Sequence, residues 1–374
     1  MLSPNPAGEA HFSGSYAPED VRFLLRPVTL RPTPVAEKER MIQSGRRHYS
    51  EMIPPEEVPD EAYLALYRSA LERNGVRLAA DLAALAAALA QRSAGRSEIV
   101  VASLARAGTP VGILVVRALR AMGLRANHYS ISIIRDRGID LEALAWIAGR
   151  HDPADVVFLD GWTGKGAISA ELRRSLAGRP LGFEPFLAVV ADPAGRADLA
   201  ATGDDYLIPS GILGSIVSGL VSRSILNEAL VGPGQFHACV YHGHLAPADL
   251  SSAFVEAVAA LMPKGAVAPA VWDPRERSAA ARDCDSTIAA IQARFDVDDR
   301  NRVKPGIAEA TRALLRRVPD RLLVQDPADP DLAHLMALAA AKGVAVEPLA
   351  ATGRFRTVAI IRSVASPRND HGRD

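Results

Sequence analysis

The sequence predicts an α/β protein of two domains, the first built on a parallel sheet and the second smaller. Short, nearly continuous apolar runs occur at 98–102 (EIVVA), 156–159 (VVFL) and 187–191 (LAVVA), as expected of strands covered on both faces. They alternate with segments of helical periodicity, the pattern of βαβ units with right-handed crossovers. A length of 374 residues leaves room for two domains at about 100–200 residues each. The composition, 48% hydrophobic and 23% charged, is that of a globular chain. Its 43 basic and 43 acidic residues cancel, which excludes a globally basic nucleic-acid coat but not a local basic patch.

Residues 1–59 are proline-rich and irregular, with one apolar stretch at 21–25. The leading residues lack the apolar core of a signal peptide. Asp60 is a helix cap, and apolar residues recur as Tyr63, Leu66, Tyr67, Ala70 and Leu71. Asn74-Gly75 is expected to break this helix from a second at 78–89. That alanine-rich run carries Asp81 and is too short and weakly apolar to span a membrane, so the expected location is cytoplasmic. Then strand and helix alternate: strand 98–102, helix 111–122, strand 128–134, helix 141–148, strand 156–159, helix 167–176, strand 187–191, a short helix at 194–201 and a fifth strand at 206–208. The C-terminal part repeats the theme with helix 306–317, strand 321–325, helix 331–341 and strands 344–347 and 357–361. The domain intervals are 1–262, a linker at 263–295, and 296–374.

Ligands of parallel sheets sit at the carboxyl ends of the strands. The turn after the third strand, VVFLDGWTGKGA, carries the strongest local signal. Asp160 ends the strand, and Gly161, Thr163, Gly164, Lys165, Gly166 and Ala167 lead into a helix whose free N–H groups suit a phosphate. A Walker loop is excluded by its spacing, because only two residues separate Gly161 from Gly164. The plain alternative is a strand–helix junction whose glycines only make the turn. After the first strand, SLARAGTP places Ser103, Arg106, Ala107, Gly108 and Thr109 at the same sheet edge, where Arg106 suits a pyrophosphate. Arg135 and Arg137 follow the second strand toward that edge. The cluster Arg46, Arg47, His48, Tyr49 and Ser50 either hoods the site or decorates the surface.

VVFLDGWTGKGA resembles the phosphoribosyl-pyrophosphate motif of type I phosphoribosyltransferases, and SLARAGTP is similar to their pyrophosphate loop. The usual acid pair is reduced here to Asp160-Gly161, and the loop is shorter. The longer stretches SGRRHYSEMIPPE, HYSISIIRDRGID, DGWTGKGAI, DDYLIPS and VKPGIAEATRALLRR resemble a bacterial family associated with tellurite and stress resistance. Its N-terminal part is described as phosphoribosyltransferase-like and its C-terminal part as Pelota-like RNA-binding, and some members are labelled StiP cysteine proteases. The resemblance implies a type I phosphoribosyltransferase-like sheet with a smaller Pelota-like domain. It implies transfer of ribose 5-phosphate from phosphoribosyl pyrophosphate to a nitrogen base. Mg²⁺ and Arg106 would stabilise the leaving group, Thr163, Gly164, Lys165 and Gly166 would hold the 5-phosphate, and Asp160 would orient the ribose. In the C-terminal domain it implies RNA contacts from Lys304, Gly306, Glu309 and Arg312. A nucleotide, structured RNA and a homo-oligomer are the expected partners.

Two other classes stay open. One is a non-catalytic nucleotide-sensing, RNA-binding adaptor. The other is a cysteine protease using Cys239, which lies among His237, His242 and His244. Two cysteines cannot make a disulfide framework. The spacing of this cluster fits no standard zinc pattern, and no metal is assigned. Cys239 also reads as an ordinary buried strand thiol, while Cys284 is flanked by Asp283 and Asp285, which disfavour its thiolate.

Overall fold

In a computed structural model, residues 3–4, 10–349 and 353–363 are described; the outer ends of the first and last domain intervals lie outside them. The core is a six-stranded sheet. Its order is Leu199–Thr202, Leu187–Ala191, Val156–Trp162, Ile99–Leu104, Ala126–Ile131 and Arg22–Phe23. Every pairing in it is parallel, as the apolar runs require.

Successive strand residues point to opposite faces, and the core divides accordingly. Val101, Val157, Leu159 and Val190 belong to one apolar cluster, Val100, Phe158 and Val189 to another. The helices are α1 (Val35–Gln43), α2 (Glu61–Arg92), α3 (Gly108–Ala121), α4 (Leu141–Ala148), α5 (Ala167–Ser175) and α6 (Ser251–Ala260). Residues of α2, α3 and α6 cover the first face, and those of α4 and α5 the second.

Several elements depart from expectation. α2 runs through Asn74-Gly75 without a break. The buried Asn74 amide donates to the Leu207 carbonyl (2.9 Å) and to Asp331 (2.8 Å), so tertiary partners satisfy the group that would otherwise favour a turn. The expected helix at 194–201 is a turn followed by the edge strand Leu199–Thr202. The Asp192 carboxylate accepts the N–H groups of Arg196 and Ala197 (2.8 Å each) and holds that turn. Residues 206–208 are loop, not strand. α3 begins at Gly108 rather than 111, which leaves a shorter turn after the first strand.

The second unit contains α7 (Pro274–Phe295), α8 (Ile307–Arg316) and α9 (Ala333–Lys342) on a four-stranded sheet. Its strand order is Val303–Pro305, Thr357–Ile361, Pro319–Val324 and Ala345–Pro348. Much of the interval 263–295 is therefore helix. Ala280, Cys284, Ile288 and Ile291 of α7 are buried, three of them in a cluster with Val303, Leu323 and Val358. The opposite side of this sheet, through Ile307, Ala310, Leu314 and Leu335, joins the same apolar cluster as α2 and α3. The two units thus share a core. Asp205 of the first caps the second: its carboxylate accepts the N–H of Ile307 at the start of α8 and that of Arg356 (3.0 Å each).

Candidate functional site

At the carboxyl edge of the large sheet, two adjoining cavities of about 190 and 240 Å³ share Tyr49, Asp160, Trp162, Ile168 and Arg312 as walls. Together they approach or fall within the usual range of small-ligand sites, about 300–1,000 Å³.

Of the expected first-turn residues, Arg106 and Ala107 line the cavity, with Leu104, Ala105 and Pro110 beside them. The Ser103 hydroxyl bonds the His128 ring (2.8 Å), and Thr109 bonds Ser130 (2.8 Å), both fully buried. A Cβ on Gly108 would lie 2.6 Å from the Leu159 carbonyl oxygen, so this glycine serves the packing of α3 on the sheet. The Ala105–Arg106 peptide is cis. Arg106 is itself buried and committed: it donates to Glu56 (2.6 Å) and to the Val221 carbonyl (2.8 Å). Burial alone would raise the Glu56 carboxyl, but the Arg106 guanidinium overrides it and holds that group well below the usual carboxylate range. Arg106 therefore arrives at the site already neutralised.

Of the second turn, Asp160, Thr163, Gly164, Lys165, Gly166 and Ala167 line the cavity, whereas Gly161 does not. Asp160 accepts its neighbour Gly161's N–H (2.8 Å), and burial pushes its carboxyl up to about 6 against the pull of Arg312. The Thr163 hydroxyl donates to Asp192 rather than to an open site. Gly166, with φ +93°, makes the left-handed entry into α5. Ala167 follows it on the wall. Lys165 lines the larger cavity with its ammonium turned to the second unit. Its ammonium donates to backbone carbonyls of the second unit, Val303 among them (3.2 Å), and burial followed by the nearby Lys304 lowers it to about 7. A Cβ on Gly164 would lie 2.6 Å from Glu309 Cγ.

Arg135 lines the cavity, but Arg137 lies outside it, exposed and paired with Glu51 (3.3 Å). Of the arm, Tyr49 forms a wall and its hydroxyl oxygen accepts the backbone N–H of Arg135 (2.8 Å), while Arg46 and Arg47 are exposed.

The residues expected to meet RNA face inward instead. Lys304, Glu309 and Arg312 all line the cavity shared with the first unit. Arg312 pairs with Glu309 (3.1 Å) and lies over the Trp162 ring (4.7 Å). Gly306, with φ +86°, packs at Asp205 and Phe355. The local charge count was legible; the direction the helix faces was set by the apolar stripe, Ile307, Ala310 and Leu314, that it buries in the core shared by both units.

Sequence reasoning missed four wall residues. Trp162, Ser210, Arg223 and Ser224 each bring a buried polar atom with no hydrogen-bond partner among the described residues. It also counted Arg316 only as part of a basic run. Here Arg316 reaches the cavity and has no side-chain ion pair or hydrogen bond among the described residues. Burial lowers Arg316 to about 9 and Arg223 to about 10.

Both thiols are closed off. Cys239 has 0% exposure, and burial pushes its thiol far above the usual range. Its strand, Ala238–Cys239, pairs with Arg26–Pro27 of the arm. The His237 ring bonds Ser132 (2.8 Å), and its backbone N–H donates to Asp140 (2.6 Å). The His242 Nε2 is buried with no partner among the described residues. Cys284 is likewise buried in α7, its thiol raised chiefly by burial despite the neighbouring Arg196. Among the described residues no three His, Cys, Asp or Glu side chains converge as a metal site, and no helix is long and apolar enough to cross a membrane.

The chain was then compared with known proteins. Among solved structures it is similar to a hypoxanthine–guanine phosphoribosyltransferase from Leishmania tarentolae in complex with GMP, at 12% identity and TM-score 0.27, covering 34% of this chain and 77% of that one. A hypoxanthine phosphoribosyltransferase from Trypanosoma cruzi matches at 14% identity and TM-score 0.27, covering 33% and 66%. A model of the PELOTA RNA binding domain matches residues 283–363. A protein of Acinetobacter baylyi named Cysteine protease StiP is 44% identical over 338 residues, 87% of this chain and 88% of that protein. This relative is named as a protease, and the expectation of a phosphoribosyl transfer enzyme is corrected accordingly. The family of tellurite-like stress resistance cysteine protease StiP matches residues 14–259, and with that relative alongside it the chain belongs to the StiP family.

Proposed function

We propose that the protein is a cysteine-class peptidase and that Cys239 is its thiol. The observation that carries the assignment is one of position: the family match spans residues 14–259, which include Cys239 and exclude Cys284. A thiol peptidase needs a thiolate, which attacks the amide carbonyl as the amine leaves, and a base to take the thiol proton. His237 stands two positions away along extended chain, on the same side as Cys239. In the closed conformation burial keeps the thiol protonated and Ser132 engages the His237 ring. Catalysis therefore requires Cys239 to leave the apolar cluster that encloses it, with release of the pairing between Ala238–Cys239 and the arm strand Arg26–Pro27, and on this reading the closed conformation is a resting form. In a casein-fragment or fluorogenic peptide assay of the full chain, Cys239→Ser should abolish hydrolysis and Cys284→Ser should retain it. The reverse pattern overturns the assignment to Cys239.

A second reading concerns the sheet-edge cavity. Its excess of cations over Asp160 and Glu309 supports a phosphate-bearing ligand of nucleotide type, bound rather than turned over. With only Asp160 and the Arg312-paired Glu309 as carboxylates on its walls, the cavity offers no protein cage for Mg²⁺, which would be held chiefly through the ligand's own phosphate oxygens. The Pelota match supports RNA as a partner of the second unit, on a surface other than the inward side of α8.

A further inference from the structure

Within the smaller cavity, two kinds of unmet demand coincide. The first is a set of orphaned buried donors: Trp162 Nε1, Ser210 Oγ, Ser224 Oγ and one terminal nitrogen of Arg223. Their residues are 9%, 7% and 4% exposed for Trp162, Ser210 and Ser224, so open solvent does not serve them. Buried donors in native proteins have partners, and these four all border one space.

The second is uncompensated charge. Arg106 is neutralised by Glu56 and Arg312 by Glu309. Arg223 donates to the carbonyls of Tyr49 and Met52, which carry no full charge. Arg316 has no side-chain partner among the described residues. Two guanidinium groups thus face the cavity with no ion pair of their own: the acid that acts on both is Glu56, which Arg106 already holds, and the cavity wall itself offers the single carboxyl of Asp160. Guanidinium groups and hydroxyl and indole donors are the set that recognises phosphate oxygens.

The donors come from both units. Trp162, Ser210, Arg223 and Ser224 belong to the first, while Arg312 and Arg316 lie one helical turn apart on α8 of the second, a spacing that puts both on one face. We propose that this cavity is a two-domain site in which a small phosphorylated ligand seats on Trp162, Ser210, Arg223 and Ser224 and is clamped by Arg316 of α8. The inference rests on the phosphate-ligand reading above and adds to it that the second unit completes the site. A ligand bound there holds α8 inward, so occupancy stabilises the docking of the two units. By linkage, whatever pulls α8 away weakens the ligand by the same factor.

The test is calorimetry of the full chain with inorganic pyrophosphate and with adenosine 5′-monophosphate, each at up to millimolar concentration in Mg²⁺-containing buffer. Circular dichroism of each variant verifies folding. Wild type should bind at least one probe. Arg316→Gln should weaken it by about tenfold, the value of one charge-assisted contact, and Ser224→Ala should weaken it less. Arg137→Gln, outside the cavity, should leave it unchanged. Wild-type binding that Arg316→Gln does not alter overturns the two-domain clamp and leaves the phosphate-ligand reading standing. Wild type that binds neither probe overturns both.

Discussion

Cys239 shows how strongly one side chain's chemistry depends on its surroundings. A thiol reacts as thiolate, and an apolar cage with no nearby cation keeps it protonated. Burial is the cause that raises the Cys239 thiol, and among the described residues no histidine hydrogen-bonds to it. Iodoacetamide should therefore leave Cys239 unmodified in the native protein and label it rapidly in denaturant, as read by peptide mass spectrometry. Rapid native labelling would mean that the arm opens freely and that the closed form is not the dominant state. Arg106 shows the same dependence for a cation. Its residue type suits pyrophosphate, yet Glu56, separated from it by 50 positions, already occupies it.

At the scale of single elements, the third helix and the strand beneath it set the geometry of the site. α3 approaches the sheet closely enough that a Cβ at Gly108 would sit 2.6 Å from the Leu159 carbonyl oxygen and 3.2 Å from Asp160 Cα. These are backbone atoms, and they cannot swing away. Gly108→Ala should destabilise the protein by about 1–3 kcal/mol, the usual cost of overpacking a tight contact, measured as a lower denaturant midpoint. It should also displace Asp160 and weaken ligand binding. An unchanged midpoint would show that α3 can back away at no cost. The strands at this level were legible because a doubly covered strand must be apolar throughout: 187–191 and 357–361 fall where the runs predict. Residues 194–201 and 206–208 were not, because side-chain bonds from Asp192 and the packing of α8 decide their backbone, and neither leaves a periodic trace.

For the whole molecule, the decisive contact is the junction of the two units. Their shared apolar cluster makes them one cooperative body, and Asp205 sits at the seam with its carboxyl pushed up to about 7, chiefly by burial. Its folded pKa lies above the ordinary 3.8, so the folded protein holds a proton that the unfolded chain releases. The stability this group contributes is full below pH 3.8 and is lost as pH rises toward about 7. The thermal midpoint of wild type should therefore fall relative to that of Asp205→Asn as pH is raised through this window. Parallel pH profiles for the two proteins would show that Asp205 does not titrate at the junction.

The sequence by itself determined the α/β class, the parallel sheet, the glycine turn that leads from Asp160 into a helix at Ala167, and the stretches that mark the family. Each of these is written in residues close together along the chain: an apolar run, a glycine turn, a capped helix. Only the tertiary structure decided which charges remain free. Glu56 cancels Arg106, and Glu309 cancels Arg312. Arg316 shares one cavity with Trp162 and Arg223 across a domain boundary, and the apolar core encloses Cys239. Charge compensation and solvent exclusion are properties of groups brought within a few ångströms by packing, and segments far apart in sequence carry no local sign of the partner they will meet.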